Sequence, residues 1–344
     1  MKKINHTYLI LFCTVLIVNI AVAQDQHLTQ YYNNEVFINP SLAGSNNGQL
    51  RVSANTKQQW NSIGSAYSTS VLAVDKSVMT SSKMTVAGGL IFMSDKMGDS
   101  KFKTFNVSGN LSATIKTGSR SKISAGMQIG WAQSSINLNN LSWDSQYDGR
   151  KYDPSLSSLE TNNAQNFSRI STALGLAYSV NFSKYKKIKF GVSSHNLISN
   201  KYSFYDNSSE RIYTRFNLYS SGEFGNPNIN VSYLPSLIMQ VQGPNLTVVG
   251  GLLVSYRMGV DSRVTAVNKS NALMWGLHYR LSDAIIPSVH YEYKRKLRFG
   301  LSYDINLSEL TNASNGRGGF ELSFNYFLGG RELMLPLLRE LLHN

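Results

Sequence analysis

Residues 297–328, LRFGLSYDINLSELTNASNGRGGFELSFNYFL, hold two alternating stretches on either side of a polar, glycine-rich loop. In the first, Leu297, Phe299, Leu301, Tyr303 and Ile305 share one face while Arg298, Gly300, Ser302 and Asp304 share the other, the period of two that a strand imposes. In the second, Phe320, Leu322, Phe324, Tyr326 and Leu328 alternate with Glu321, Ser323 and Asn325. A soluble sandwich can carry such a hairpin. The pattern recurs along almost the whole chain, behind an export signal and without a helical span. This predicts an all-β fold, a transmembrane antiparallel outer-membrane β-barrel.

The export signal is Lys2 and Lys3 ahead of an apolar stretch from Tyr8 to Val22, closing on the small-residue site Ala21, Val22, Ala23. Cleavage after about Ala23 leaves Gln24 as the expected first residue. The lone cysteine, Cys13, lies in the removed segment, so disulfides, thiolate catalysis and cysteine metal sites are excluded from the mature chain. Beyond residue 23 the longest apolar run, near Val248 to Val254, falls far short of the roughly 18–20 residues of a membrane helix. A chain of this kind crosses a membrane in strands.

Mean hydropathy is −0.20, which conceals a membrane protein because barrels distribute their apolar residues in alternation. The net charge is +13, two units of which belong to the leader lysines. A basic balance raises nucleic acid as a partner. The spread of charge through alternating strands and the exported location exclude it, and favour outer-membrane lipid head groups or an acidic partner.

Alternating runs bounded by turn residues number about fourteen, an even count as single-chain bacterial barrels require. They start near Gln49, Ser65, Lys83, Lys103, Ser121, Gln165, Lys187, Arg211, Asn228, Asn245, Asn271, Ala284, Lys296 and Arg317. With the N-terminus in the periplasm, even-to-odd connections should be short and odd-to-even ones long. Thr117 to Arg120, Phe182 to Lys186, Gly225 to Pro227 and Lys294 to Arg295 fit the first rule; Asn137 to Ala164 and Ser199 to Glu210 fit the second. Gln242 to Pro244 and Gly259 to Ser270 fit neither.

No HExxH, acidic calcium loop, Walker loop or dinucleotide fingerprint is present, so no metal, cofactor or catalytic set is assigned. His278 and His290 fall on lumenal positions of neighbouring strands and invite a triad with Ser288. A hydrolase, however, needs its nucleophile within reach of the base and near the lipid, whereas Ser288 and His290 lie two apart on one strand face. A lumenal polar network is the better reading. Arg280, Asp283, Glu292, Arg298, Asp304, Arg317 and Glu321 form a stronger constellation, most of them inward on the last four strands. They are either a docking surface for a partner or the mutually neutralising lining that a barrel interior needs.

Four blocks carry a family resemblance: QYYNNEVFINPSLAG (30–44), KQQW (57–60), HYRLSDAIIPSVHYEY (278–293) and GLSYDINLSELTNASNGRGGFELSFNYF (300–327). Together, in this order, they resemble the PorP/SprF family of the type IX secretion machinery of Bacteroidetes, over essentially the whole mature chain. The resemblance implies an outer-membrane barrel without enzymatic activity or cofactor. Its expected partners are secretion subunits at the periplasmic face and a large secreted surface protein as client, in some members a gliding adhesin. A passive porin or hydrophobic-solute channel is the alternative that strand count alone permits, and a lipid-acting enzyme is the third class.

The expected layout is a signal peptide (1–23), a turn-rich segment (24–47), a barrel (48–328) and an amphipathic tail (329–344). In the turn-rich segment Asn39, Pro40 and Gly44, with Trp60 downstream, mark either a plug or periplasmic docking segment or a lead-in closing the barrel bottom. The tail, RELMLPLLRELLHN after Gly329 and Gly330, either lies on a membrane or partner surface or packs locally.

Overall fold

Alternation over ten or more residues leaves each strand one apolar and one polar face, and closing the sheet on itself satisfies every edge without exposing backbone polar groups to lipid. The computed structural model shows this solution. It describes residues 26–45, 50–60, 65–137, 141–159, 166–183, 185–198, 200–204, 210–226, 229–259, 270–308 and 311–328, the side chains of 312 and 313 apart. The expected leader and the expected 329–344 tail lie outside the described residues.

Fourteen antiparallel strands form one closed barrel in which each pairs with its sequence neighbours. They are β1 (Leu50–Gln59), β2 (Tyr67–Thr80), β3 (Met84–Met97), β4 (Phe102–Lys116), β5 (Ser121–Ser135), β6 (Asn166–Ser183) and β7 (Lys186–His195). The second half comprises β8 (Arg215–Gly225), β9 (Val231–Gln242), β10 (Asn245–Met258), β11 (Asn271–Arg280), β12 (Ala284–Tyr293), β13 (Leu297–Asn306) and β14 (Arg317–Leu328). Closure is made by β1 on β14, in register from Leu50 opposite Leu328 to Gln59 opposite Gly319. All fourteen expected strands are present, the largest displacement being β8, which begins at Arg215 rather than Arg211. Residues 211–214 are not wasted as loop: Ile212 N–H bonds Asn200 O and Arg211 bridges to Lys201, so they brace the preceding connection.

The faces are inverted relative to a water-soluble core. Leu277, Ile129 and Leu322 stand exposed at 60, 63 and 50%, while Lys57, Glu321, Asn55 and His290 are buried to 2% or less. Apolar exposure on all sides of a barrel far exceeds what a soluble monomer tolerates, and it requires lipid. No helix among the described residues is long and apolar enough to cross a membrane. The barrel has a turn end, where β1, β5, β7 and β13 begin and β4, β6 and β12 end, and a loop end, where β5 and β7 end and β6 and β8 begin.

Candidate functional site

The polar inner face finds its partners in residues 26–45, which run inside the barrel from the loop end toward the turn end. Short elements carry them: a 3-10 turn at Tyr31–Asn33, a single helical turn at Glu35–Ile38 and a second 3-10 turn at Pro40–Leu42. Such short turns satisfy only part of their own backbone, and strand side chains take up groups left over. Ile38 O, for example, receives Ser193 Oγ at 2.7 Å and Asn217 Nδ2 at 3.0 Å, and lies 2.8 Å from His195 Nε2.

Near the loop end four charges gather. Asp304 pairs with Arg280 at 2.5 Å and with Lys57 at 3.4 Å. Glu321 receives Asn55 Nδ2 at 2.8 Å and the backbone N–H of Thr29 at 2.6 Å. Arg280 also donates to Thr29 Oγ1 at 3.1 Å and to Asp283 at 2.8 Å. Gln30 bridges onward, donating to Ser302 Oγ and Glu321 O and accepting from Ser323 Oγ. Two cations face the two buried carboxylates, with Asp283 on Arg280 at the more exposed edge, and such pairing is how charge survives out of water. His27 lies in the same field. Desolvation, helped by the nearby Lys57 and Arg280 cations, holds its imidazole well below the ordinary histidine range.

Farther along, Tyr32 stacks on His278 with centroids 4.9 Å apart, and its hydroxyl lies 3.1 Å from His290 Nε2 and 3.5 Å from Ser288 Oγ. The lumenal histidines thus clasp an aromatic ring. Ser288 and His290, at 4 and 1% exposure, sit beneath it, where neither meets a lipid substrate.

The turn end holds a second ionic group. Glu35 takes Lys189 at 2.8 Å and Arg51 at 3.2 Å, and Arg51 in turn holds Asp75 at 2.8 Å. Burial alone would raise the Glu35 carboxyl, but Lys189 and Arg51 outweigh it and push it down to about 2. Asp75 also accepts the Gly44 N–H at 2.7 Å, so one carboxylate ties β2, β1 and the segment together.

Between these groups lies Asn39, completely buried, whose amide donates to the carbonyls of Leu176 and Val192 at 3.0 and 3.1 Å on adjoining strands. Its Oδ1 accepts Ser41 N–H at 2.9 Å, capping the Pro40–Leu42 turn. The approach is possible because Gly175 and Gly126 face it: a Cβ on Gly175 would overlap Asn39 Oδ1, and one on Gly126 would strike the Pro40–Ser41 backbone.

Of the constellation marked in the sequence, Arg280, Asp283, Asp304 and Glu321 meet. Glu292 and Arg298 form a separate pair at 2.6 Å toward the turn end, and Arg317 is exposed at the start of β14 and joins neither. Asn39, Pro40 and Gly44 all lie against the wall. Trp60 does not join them. It follows β1 at the loop end with φ 59°, edge-on to Tyr67 at 4.7 Å. The sequence reading missed Lys57 as an ionic partner and the whole Glu35–Arg51–Asp75–Lys189 group. The inward row Arg51, Ser53, Asn55, Lys57 was the available signal for β1, a strand with two cations on its lumenal face.

The family model described as type IX secretion system membrane protein PorP/SprF matches residues 20–326. No curated protein matches the sequence. Among solved structures, the barrel is similar to the CymD monoaromatic hydrocarbon channel, at 8% identity and a TM-score of 0.50, covering 87% of this chain and 93% of that one. The P. putida toluene transporter TodX matches at 10% identity and a TM-score of 0.48, over 86 and 94% of the two chains. At such identities the likeness to CymD speaks for the fold alone.

Proposed function

Given that this chain belongs to the PorP/SprF family of type IX secretion system membrane proteins, we propose that it supports the secretion or surface anchoring of one large client through docking rather than conduction. The observation that carries this reading is the segment held inside the barrel. Residues 26–45 are bonded to inward side chains from Asp95 near the loop end to Asp75 near the turn end, which sets a held segment across the bore. A secretion accessory that binds partners needs a wall and two rims, not an open bore. In this reading the leader is removed near Ala23, secretion subunits engage the turn end from the periplasm, the long loops face outward, and the client is a surface protein such as a gliding adhesin. No step of this role needs an enzymatic group.

The test is deletion of the gene with complementation, comparing the proteins of the cell surface and the medium. Selective loss of one or a few large proteins, restored by the wild-type chain, is expected. An unchanged secretome together with steady conductance of the purified barrel in planar bilayers would instead make it a passive channel.

A further inference from the structure

On the outer wall at the loop end, β2–β5 break the apolar pattern. Cross-strand register sets Ser68 opposite Lys96, Lys96 opposite Lys103, and Lys103 opposite Ser135, one continuous row facing away from the lumen. One step nearer the membrane middle lie Ser70 and Ser94, directly paired, and then Phe105. The next row is Leu72, Phe92, Val107 and Trp131, wholly apolar. The small serines among larger neighbours leave a recess of about 480 Å3, which Lys101 of the β3–β4 turn also lines.

Two features make this more than a solvated rim. Like charges directly opposite each other on neighbouring strands repel, and here Lys96 faces Lys103 with Lys101 beside them. No carboxylate is among the residues lining the recess. An anion placed between the ammonium groups relieves that repulsion, and the serine hydroxyls beneath can donate to its oxygens. The apolar row just below, with Phe92, Phe105 and Trp131 exposed, is where acyl chains attached to such an anion would run. A soluble anion would make no use of it.

We propose that this recess is a binding site for the phosphate head group of an anionic membrane lipid, held by Lys96, Lys101 and Lys103 with its chains along Leu72, Phe92 and Trp131. The test uses the full mature barrel in phosphatidylcholine nanodiscs. Phosphatidic acid with brominated chains, or brominated phosphatidylcholine at the same mole fraction, is added, and the quenching of Trp131 is taken as the difference between wild type and Trp131→Phe. Brominated phosphatidic acid should quench more strongly, with a preference of about five-fold for each lysine. The triple variant Lys96→Gln, Lys101→Gln, Lys103→Gln should abolish that preference while the barrel keeps its heat-modifiable migration, and Lys83→Gln with Lys122→Gln at the turn end should leave it intact. Equal quenching by the two lipids, or a preference surviving in the triple variant, overturns the proposal. Displacement of the brominated lipid by an equal concentration of inorganic phosphate also overturns it, by assigning the recess to a soluble anion.

Discussion

The buried amide of Asn39 is seated against Gly175, where a single methyl on the glycine would collide with Asn39 Oδ1. The amide spans the carbonyls of Leu176 and Val192, so a side chain of the inner segment is keyed into the barrel wall at one glycine notch.

Filling that notch should free the segment without unmaking the barrel, because the strand ladders and the lipid-facing rows are untouched. In Gly175→Val or Asn39→Leu, residues 26–45 should become open to added protease and the purified barrel should conduct. Each change leaves buried polar groups unpaired at roughly 1–3 kcal/mol apiece. Protection equal to wild type in both variants would show that the notch does not hold the segment.

Breaking the Lys57–Arg280–Asp304–Glu321 group should be more damaging than removing it. Asp304→Asn leaves Lys57 and Arg280 buried with one carboxylate fewer, and destabilisation of roughly 3–5 kcal/mol is expected in urea unfolding. Replacing Lys57 and Asp304 together, by Met and Leu, should recover much of this loss. A double variant as unstable as Asp304→Asn would refute the charge-compensation account.

Acid should loosen the segment in two steps. His27 is held neutral in place, so below its ordinary pKa of 6.5 the released form gains a proton that the seated form refuses, and seating weakens as pH falls from there. Glu35 works through its ionised form. Its help is complete above 4.5 and is lost as pH falls from there through about 2. Conductance followed from about pH 7.5 to about 3.5 should rise in both windows. His27→Gln should diminish the upper step and leave the lower one, the remainder coming from the imidazoles of His278 and His290 around Tyr32, and a profile identical to wild type would dismiss His27 as a source.

The β12–β13 hairpin places Lys294 and Arg295 at φ 48° and 56°, closed by the Lys296 N–H on Tyr293 O at 2.9 Å. This is the mirror-image turn that favours Asn-Gly, and L side chains adopt it at about 1 kcal/mol or more per residue. Lys294→Asn with Arg295→Gly should therefore raise the temperature at which the barrel loses its heat-modifiable band. A lowered temperature would mean that the two cations contribute more at the turn than the backbone strain removes.

The strands were legible because alternation is local. Leu297 to Ile305 and Phe320 to Leu328 declare their faces within one strand length, and lipid on one side with a polar interior on the other enforces the declaration. The same rule marked Asp304 and Glu321 as inward. It could not separate Arg298, which pairs with Glu292, from Arg280, which reaches Asp304, since height along the barrel depends on the stagger of every strand between.

Sequence by itself determined a barrel of fourteen alternating strands and its family. Each strand needs only its own period of two and a turn at either end, and the family rests on blocks of residues in order. Only the tertiary structure decided what fills it. Thr29 meets Glu321 across 292 positions and Asn39 meets Leu176 across 137, and no periodicity reports such pairs. The turn-rich stretch from Gln26 to Ser45 has no sustained period that declares a face, so its place was set by the polar groups, the glycine notches and the apolar patches under Val36, Ile38 and Leu42 that fourteen strands present only once they have closed.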